Sequence, residues 1–159
     1  MTVIAGLPAH VLFVHFIVVL APLTALLEML CALWPAARRR LVWLVLALAV
    51  VTMVLTPLTT NAGKWLYDRN ARPSALLQTH AQRGDWMIYF AVGLLVVAIA
   101  LAVLHWLEGR SDQRRLAANI AVGIVAVLVG ISSMIGVFQI GDSGARSVWH
   151  NELTKAAQP

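Results

Sequence analysis

Leu7-Pro8-Ala9-His10-Val11-Leu12-Phe13-Val14-His15-Phe16 opens an apolar run that continues to Trp34 and carries two of the chain's five histidines into it. From Val11 to Leu33 the only charged side chain is Glu28. At 1.5 Å per helical residue, such a run crosses a hydrocarbon core of about 30 Å. Pro8 suits the first turn of a helix, where its missing N–H is not needed. Ionisable groups are costly inside a segment of this kind, which makes His10, His15 and Glu28 candidates for function.

The rest of the chain repeats the pattern. Of its 159 residues, 60% are hydrophobic and 12% charged, and the mean hydropathy is +0.81. No ordinary soluble domain has this balance. Apolar residues gather into four blocks, at about 9–34, 41–60, 86–107 and 116–140. The alternation of barrel strands is absent, so backbone satisfaction in lipid leaves the helix. The expected fold is an all-α integral membrane protein, with four transmembrane helices in an antiparallel bundle. One domain is expected over 1–159, with helices at about 8–34, 41–66, 74–107 and 115–140 and a short outer segment at 141–159.

Charge orients the bundle. The first block lacks preceding basic residues and ends in Trp34-Pro35 before Arg38-Arg39-Arg40, so it is read as a span and not as a cleavable signal. Connections 35–40 and 108–115 hold six arginines in fourteen residues. The other six cations are spread over 61–84 and the termini. Cation density in short loops assigns both short connections to the cytoplasm and both termini to the outer side. The net charge of +5 is thereby explained by topology, and no basic stripe with interleaved aromatics suggests nucleic acid. All six tryptophans lie near expected helix ends, as an aromatic belt at the lipid interface. A single cysteine, Cys31, excludes an intrachain disulfide, a Cys-ligated cluster within the chain and a CxxCH haem attachment.

Each helix offers polar groups to the bundle. At 100° per residue, His15, Val19, Pro22 and Leu26 share one stripe of the first helix, about 140° from the stripe of Glu28 and His10. The second helix carries Thr52, Thr56, Thr59 and Thr60. They either bond back to their own helix or line, with Asp142, a polar cavity in the outer half. Ser74 after Pro73 reads as the start of the third helix, which runs past His80, Arg83 and Gly84 to His105. Gly84 leaves space one turn below His80. His105 is read as an interfacial anchor, the alternative being a buried pair with Glu28. The fourth helix shows small residues at Gly123, Ala126, Gly130, Ser133 and Gly136, suited to close packing within the bundle or in a homo-oligomer.

Four of the five histidines, His10, His15, His80 and His150, thus fall on the outer side together with Arg83, Asp85, Gln139, Asp142 and the threonines. No HExxH, phosphate loop or nucleophile elbow accompanies them. The expected site has His15 and His80 as axial ligands of a b-type haem, with Gly84 making room and Arg83 near a propionate. A transition-metal ion held by His10, His15, His80 and His150 is the next reading. A redox partner would then meet the outer surface. The alternative is a non-redox module, a small-solute transporter or a structural subunit, with no cofactor. In that case the histidines only satisfy buried or interfacial polar groups.

The combination of Leu7-Pro8-Ala9-His10, Val14-His15-Phe16, Thr59-Thr60-Asn61-Ala62-Gly63-Lys64-Trp65-Leu66, His80-Ala81-Gln82-Arg83-Gly84-Asp85 and Ile140 through Trp149 resembles the bacterial domain-of-unknown-function 2231 family of predicted four-helix membrane proteins. The resemblance covers about residues 5–150. It implies a multi-pass protein of the bacterial inner membrane and no established activity. Relatives fused to Rieske-type domains imply electron transfer near the outer surface. The chain departs from the family pattern at Val11, where a proline is frequent, at Lys64, where an acid is common, and at Asp142, where some members carry a histidine.

Overall fold

The computed structural model describes residues 3–4, 7–110 and 115–156. Strands β1 (Val3–Ile4) and β2 (Leu7–Pro8) make a minimal antiparallel pair. Five helices follow among the described residues: α1 (Ala9–Leu33), α2 (Pro35–Asp68), α3 (Ala75–Asp85), α4 (Met87–Glu108) and α5 (Leu116–Ala156). Four helical segments are long and apolar enough to cross a membrane, with α3 running on into α4 as one of them. The apolar part of that segment is α4. By its polar composition α3 (ALLQTHAQRGD), which buries no residue fully, lies beyond the spanning part.

One inward face with a seven-residue repeat organises every span. On α2 it is Arg38, Val42, Val45, Ala49, Thr52, Thr56 and Thr59, all buried, at alternating steps of four and three. On α1 it is Ile17, Ala21, Thr24, Glu28 and Cys31. On α4 it is Met87, Ala91, Leu94, Ala98 and Leu101, and on α5 Ala126, Gly130, Ser133 and Val137. This spacing is that of left-handed, nearly antiparallel bundles with interdigitating side chains. The core divides into two apolar clusters. One contains Cys31, Val42, Val45, Ala98, Leu101 and Ala126. The other contains Ile17, Ala21, Ala25, Met87, Leu94 and Val137.

Four boundaries differ from the sequence expectation. Residues 35–40 are not a connection. Pro35 occupies the start of α2, where its fixed φ is favourable, and only the extended Trp34 separates α1 from α2. The arginines are therefore the first turns of a helix, and Arg38 points into the bundle at 1% exposure. The third span is interrupted at Trp86, which ends α3 and begins α4. Residues 141–156 of the expected outer segment 141–159 are not a separate tail, because α5 continues helical to Ala156 through Gly141 and Gly144, and 157–159 lie outside the described residues. Pro8 sits in β2, just ahead of the helix.

Surface residues fit a bilayer. Trp34, Trp43, Trp86, Trp106 and Trp149 are all at least half exposed. Arg110 stacks 3.7 Å over Trp106, and Arg69 stacks 3.9 Å over Trp65. Such pairs combine an apolar ring with a cation at helix ends, as the interface favours. Gly130 packs on Met29 and Gly136 on Phe90, so these members of the small-residue stripe are occupied within the chain, whereas Gly123 meets nothing.

Candidate functional site

One device, used twice, builds the histidine end of the bundle. His10, at the head of α1, places Nδ1 3.0 Å from the Thr59 carbonyl oxygen on α2. A carbonyl only accepts, so Nδ1 carries the hydrogen and Nε2 keeps its lone pair when the ring is neutral. His80 on α3 places Nδ1 3.1 Å from the Ile140 carbonyl oxygen on α5 and 3.3 Å from Ser143 Oγ. The Ser143 hydroxyl donates to the same Ile140 oxygen at 2.8 Å. In both cases the residue four positions after the acceptor is glycine. A Cβ on Gly63 would stand 2.9 Å from His10 Cε1 and Nδ1, and one on Gly144 would stand 2.9 Å from His80 Cε1. The bare backbone lets each ring lie against the helix and reach a carbonyl inside it.

The two rings meet. Their centroids are 6.4 Å apart, with an interplanar angle of 72°. Burial pushes the His80 imidazole's pKa down; the Ile140 hydrogen bond opposes this, and the neighbouring His10 adds to it. His80 is thereby biased towards the neutral form that ligates metals.

His15 does not join this pair. It is exposed, bonds Nδ1 to the Val11 carbonyl of its own helix at 2.6 Å, and lines an open surface groove with Phe16, Val19 and Leu20. The reason is angular. His10 and His15 lie about 140° apart on α1, and the Glu28 stripe, with His10, faces inward. The expected approach of His15 to His80 is corrected to one between His10 and His80. The His150 side chain lies outside the described residues.

Other expected site residues sit as follows. Arg83 donates to the Gln139 carbonyl at 3.3 Å. With Trp86, Phe90, Gly136, Gln139 and Ile140 it lines a hollow of about 240 Å³ beside the histidine pair's α5 anchor. Gly84 has open space beside it. Thr52, Thr56 and Thr59 are buried, and each donates to the carbonyl four residues earlier at 2.7–2.8 Å. Their hydroxyls thus serve their own helix. Asp142 pairs with Arg146 at 2.9 Å, one turn along α5.

The opposite end holds a second polar cluster that the sequence reading did not find. Arg38 Nη2 contacts Glu108 Oε1 and Oε2 at 2.7 and 2.9 Å and Asn119 Oδ1 at 2.7 Å. Asn119 Nδ2 closes the ring on Glu108 at 3.0 Å. His105 lies edge-on to Trp43, with centroids 6.4 Å apart, and not against Glu28. The signal for Arg38 was its place on the seven-residue stripe of the threonines. For Gly63 and Gly144 it was a glycine four residues after Thr59 and Ile140 near the end of a long apolar span.

Among the described residues no group of three or more His, Cys, Asp or Glu side chains is placed to hold a metal ion. No curated protein matches the chain, and no solved structure does. A family model described as a predicted membrane protein (DUF2231) matches residues 6–157. A chain of helices with four apolar spans, matched over nearly its whole length, belongs to that family of membrane proteins, DUF2231.

Proposed function

We propose that the His10–His80 pair is the ligand site of a membrane-embedded binding protein, and that its ligand is a metal centre held by the two Nε2 atoms, a b-type haem before a bare ion. The carrying observation is the double anchoring of both Nδ1 atoms on helix carbonyls, which orients two imidazoles as metal sites require. Proximity supports a shared ligand, since the two ring centroids lie 6.4 Å apart. A tetrahedral ion needs three or four protein ligands, which the described residues do not assemble here. A haem would need only His10 and His80 as its protein ligands. Gly63 and Gly144 keep both rings free of Cβ crowding, and Arg83 is the nearby cation for a propionate. Bound haem would supply one-electron chemistry, exchanged with a partner at this end of the bundle.

The second reading is a pair of clasps, His10 tying α1 to α2 and His80 tying α3 to α5, in a module without cofactor. Absorption spectra and metal analysis of protein expressed with haem supplementation separate the two. The wild type is expected to show a Soret band that His10→Ala and His80→Ala each abolish. His15→Ala and His105→Ala should leave it intact. A colourless, metal-free wild type would leave the clasps.

The same reading takes the histidine end as the outer, periplasmic side of a bacterial inner membrane, since Arg38, Arg39, Arg40, Arg110 and Arg115 gather at the other end. A cysteine introduced at Arg110 in a Cys31→Ser background is expected to resist a membrane-impermeant thiol reagent in intact cells. Labelling there without lysis would reverse the orientation.

A further inference from the structure

Between the two apolar clusters of the core lies a layer that neither cluster accounts for. Glu28 on α1 is completely buried, and neither carboxyl oxygen has a hydrogen-bond partner. Thr24, one turn earlier, and Ser133 on α5 are also at 0% exposure, and both hydroxyl oxygens are unpartnered. Their behaviour differs from the other buried hydroxyls. Thr52, Thr56, Thr59 and Ser143 all turn back on a carbonyl of their own helix.

The three residues share one level. Gly130 packs against Met29. Ser133 lies three residues, about 4.5 Å, further towards the histidine end, opposite the turn between Thr24 and Glu28. Helical side chains lean towards their N-terminus, so the Glu28 carboxyl leans towards Thr24. Four unpartnered oxygens therefore gather in a layer within the membrane.

An isolated carboxylate cannot persist there, because burying an uncompensated charge in hydrocarbon is far costlier than protonating it. Counter-charges are few. On its own helix the nearest titratable group is Cys31. From α2 comes Arg38, whose Nη2 is engaged by Glu108 and Asn119 while its buried Nε and Nη1 have no partner among the described residues. From α4 come His105 and Glu108, and residues 116–141 of α5 contain no ionisable side chain. No ion pair to Glu28 is formed among the described residues.

We infer that Glu28, Thr24 and Ser133 form a proton-binding site inside the membrane, with Glu28 held as a neutral acid whose proton exchanges through the two hydroxyls. The layer supplies four oxygens that no other group among the described residues satisfies. The inference is independent of what the histidine pair binds.

Infrared spectroscopy of the full chain in lipid at neutral pH tests it. The expected result is a protonated-carboxyl band that is missing in Glu28→Gln, shifts in D2O, and moves to higher frequency in the Thr24→Val/Ser133→Ala double variant. A Glu28 that is ionised at neutral pH, or a band unmoved after long exposure to D2O, would overturn it. Where Glu28→Gln fails to fold, a hydrophobic carbodiimide on the wild type decides. The acid O–H adds across one C=N bond, the oxygen joining carbon and the hydrogen joining nitrogen, with no leaving group. An adduct mapped to Glu28 supports the site. Its absence overturns the proposal.

Discussion

Glu108→Ala is expected to lower the unfolding free energy by about 3–5 kcal/mol, the usual cost of leaving one partner of a buried ion pair uncompensated. Arg38 is 1% exposed, and Glu108 holds it through both carboxyl oxygens. Removing the carboxylate leaves a guanidinium whose described partner is the Asn119 side-chain oxygen Oδ1. Arg38→Ala should cost less, because the stranded Glu108 side chain is 29% exposed and can still accept from Asn119. The double replacement Arg38→Met/Glu108→Leu removes both charges at similar volume. It should recover most of the loss, as apolar substitutes for buried pairs do. Reversible unfolding in mixed detergent micelles gives all three values. If Glu108→Ala lay within about 1 kcal/mol of wild type, the pair would be behaving as an exposed one.

How much of this was legible in the sequence follows from that stripe. The four spans and their order were carried by composition and block length, because lipid leaves a chain few other solutions. The inward face is also readable, yet three consecutive arginines resemble a topology signal and mask the place of Arg38 on it. Pro35 as a helix start and the four–three spacing from Arg38 to Thr59 were the competing and correct cues. The histidine pair was half legible. Angular reasoning already separated His10 from His15, and Glu28 marked which of the two stripes faces inward. Choosing His15 instead placed an imidazole against lipid. The long-range partners, Thr59 carbonyl for His10 and Ile140 carbonyl for His80, are set by how α1 and α3 dock on α2 and α5. No local pattern encodes that docking, although the glycines that permit it are visible in the chain.

Those glycines set the second large effect. Gly63→Ala and Gly144→Ala are each expected to destroy the two-imidazole geometry without touching a histidine. The new Cβ would stand 2.9 Å from His10 or His80 ring atoms, closer than real methyl groups come. The neighbour in each case is a ring tied to a helix carbonyl at 3.0 or 3.1 Å, so relief requires breaking that hydrogen bond. Loss of one such bond costs about 0.5–1.5 kcal/mol, and overpacking adds about 1–3 kcal/mol. Gly84 and Gly141, which meet nothing within 4 Å, are the internal controls. Alanine there should be neutral or stabilising by about 0.5–1 kcal/mol, because it favours the helix. Thermal unfolding in detergent reads the stability of all four variants. An absorption spectrum or metal analysis reads the site, where the Gly63 and Gly144 variants should lose binding at least about tenfold, an energy of about 1.4 kcal/mol. Equal stability across the four would mean that the rings slide aside freely and that the carbonyl anchors do not hold them. A stability loss at Gly63 and Gly144 with binding undiminished would separate anchoring from ligation and return the histidines to a role as clasps.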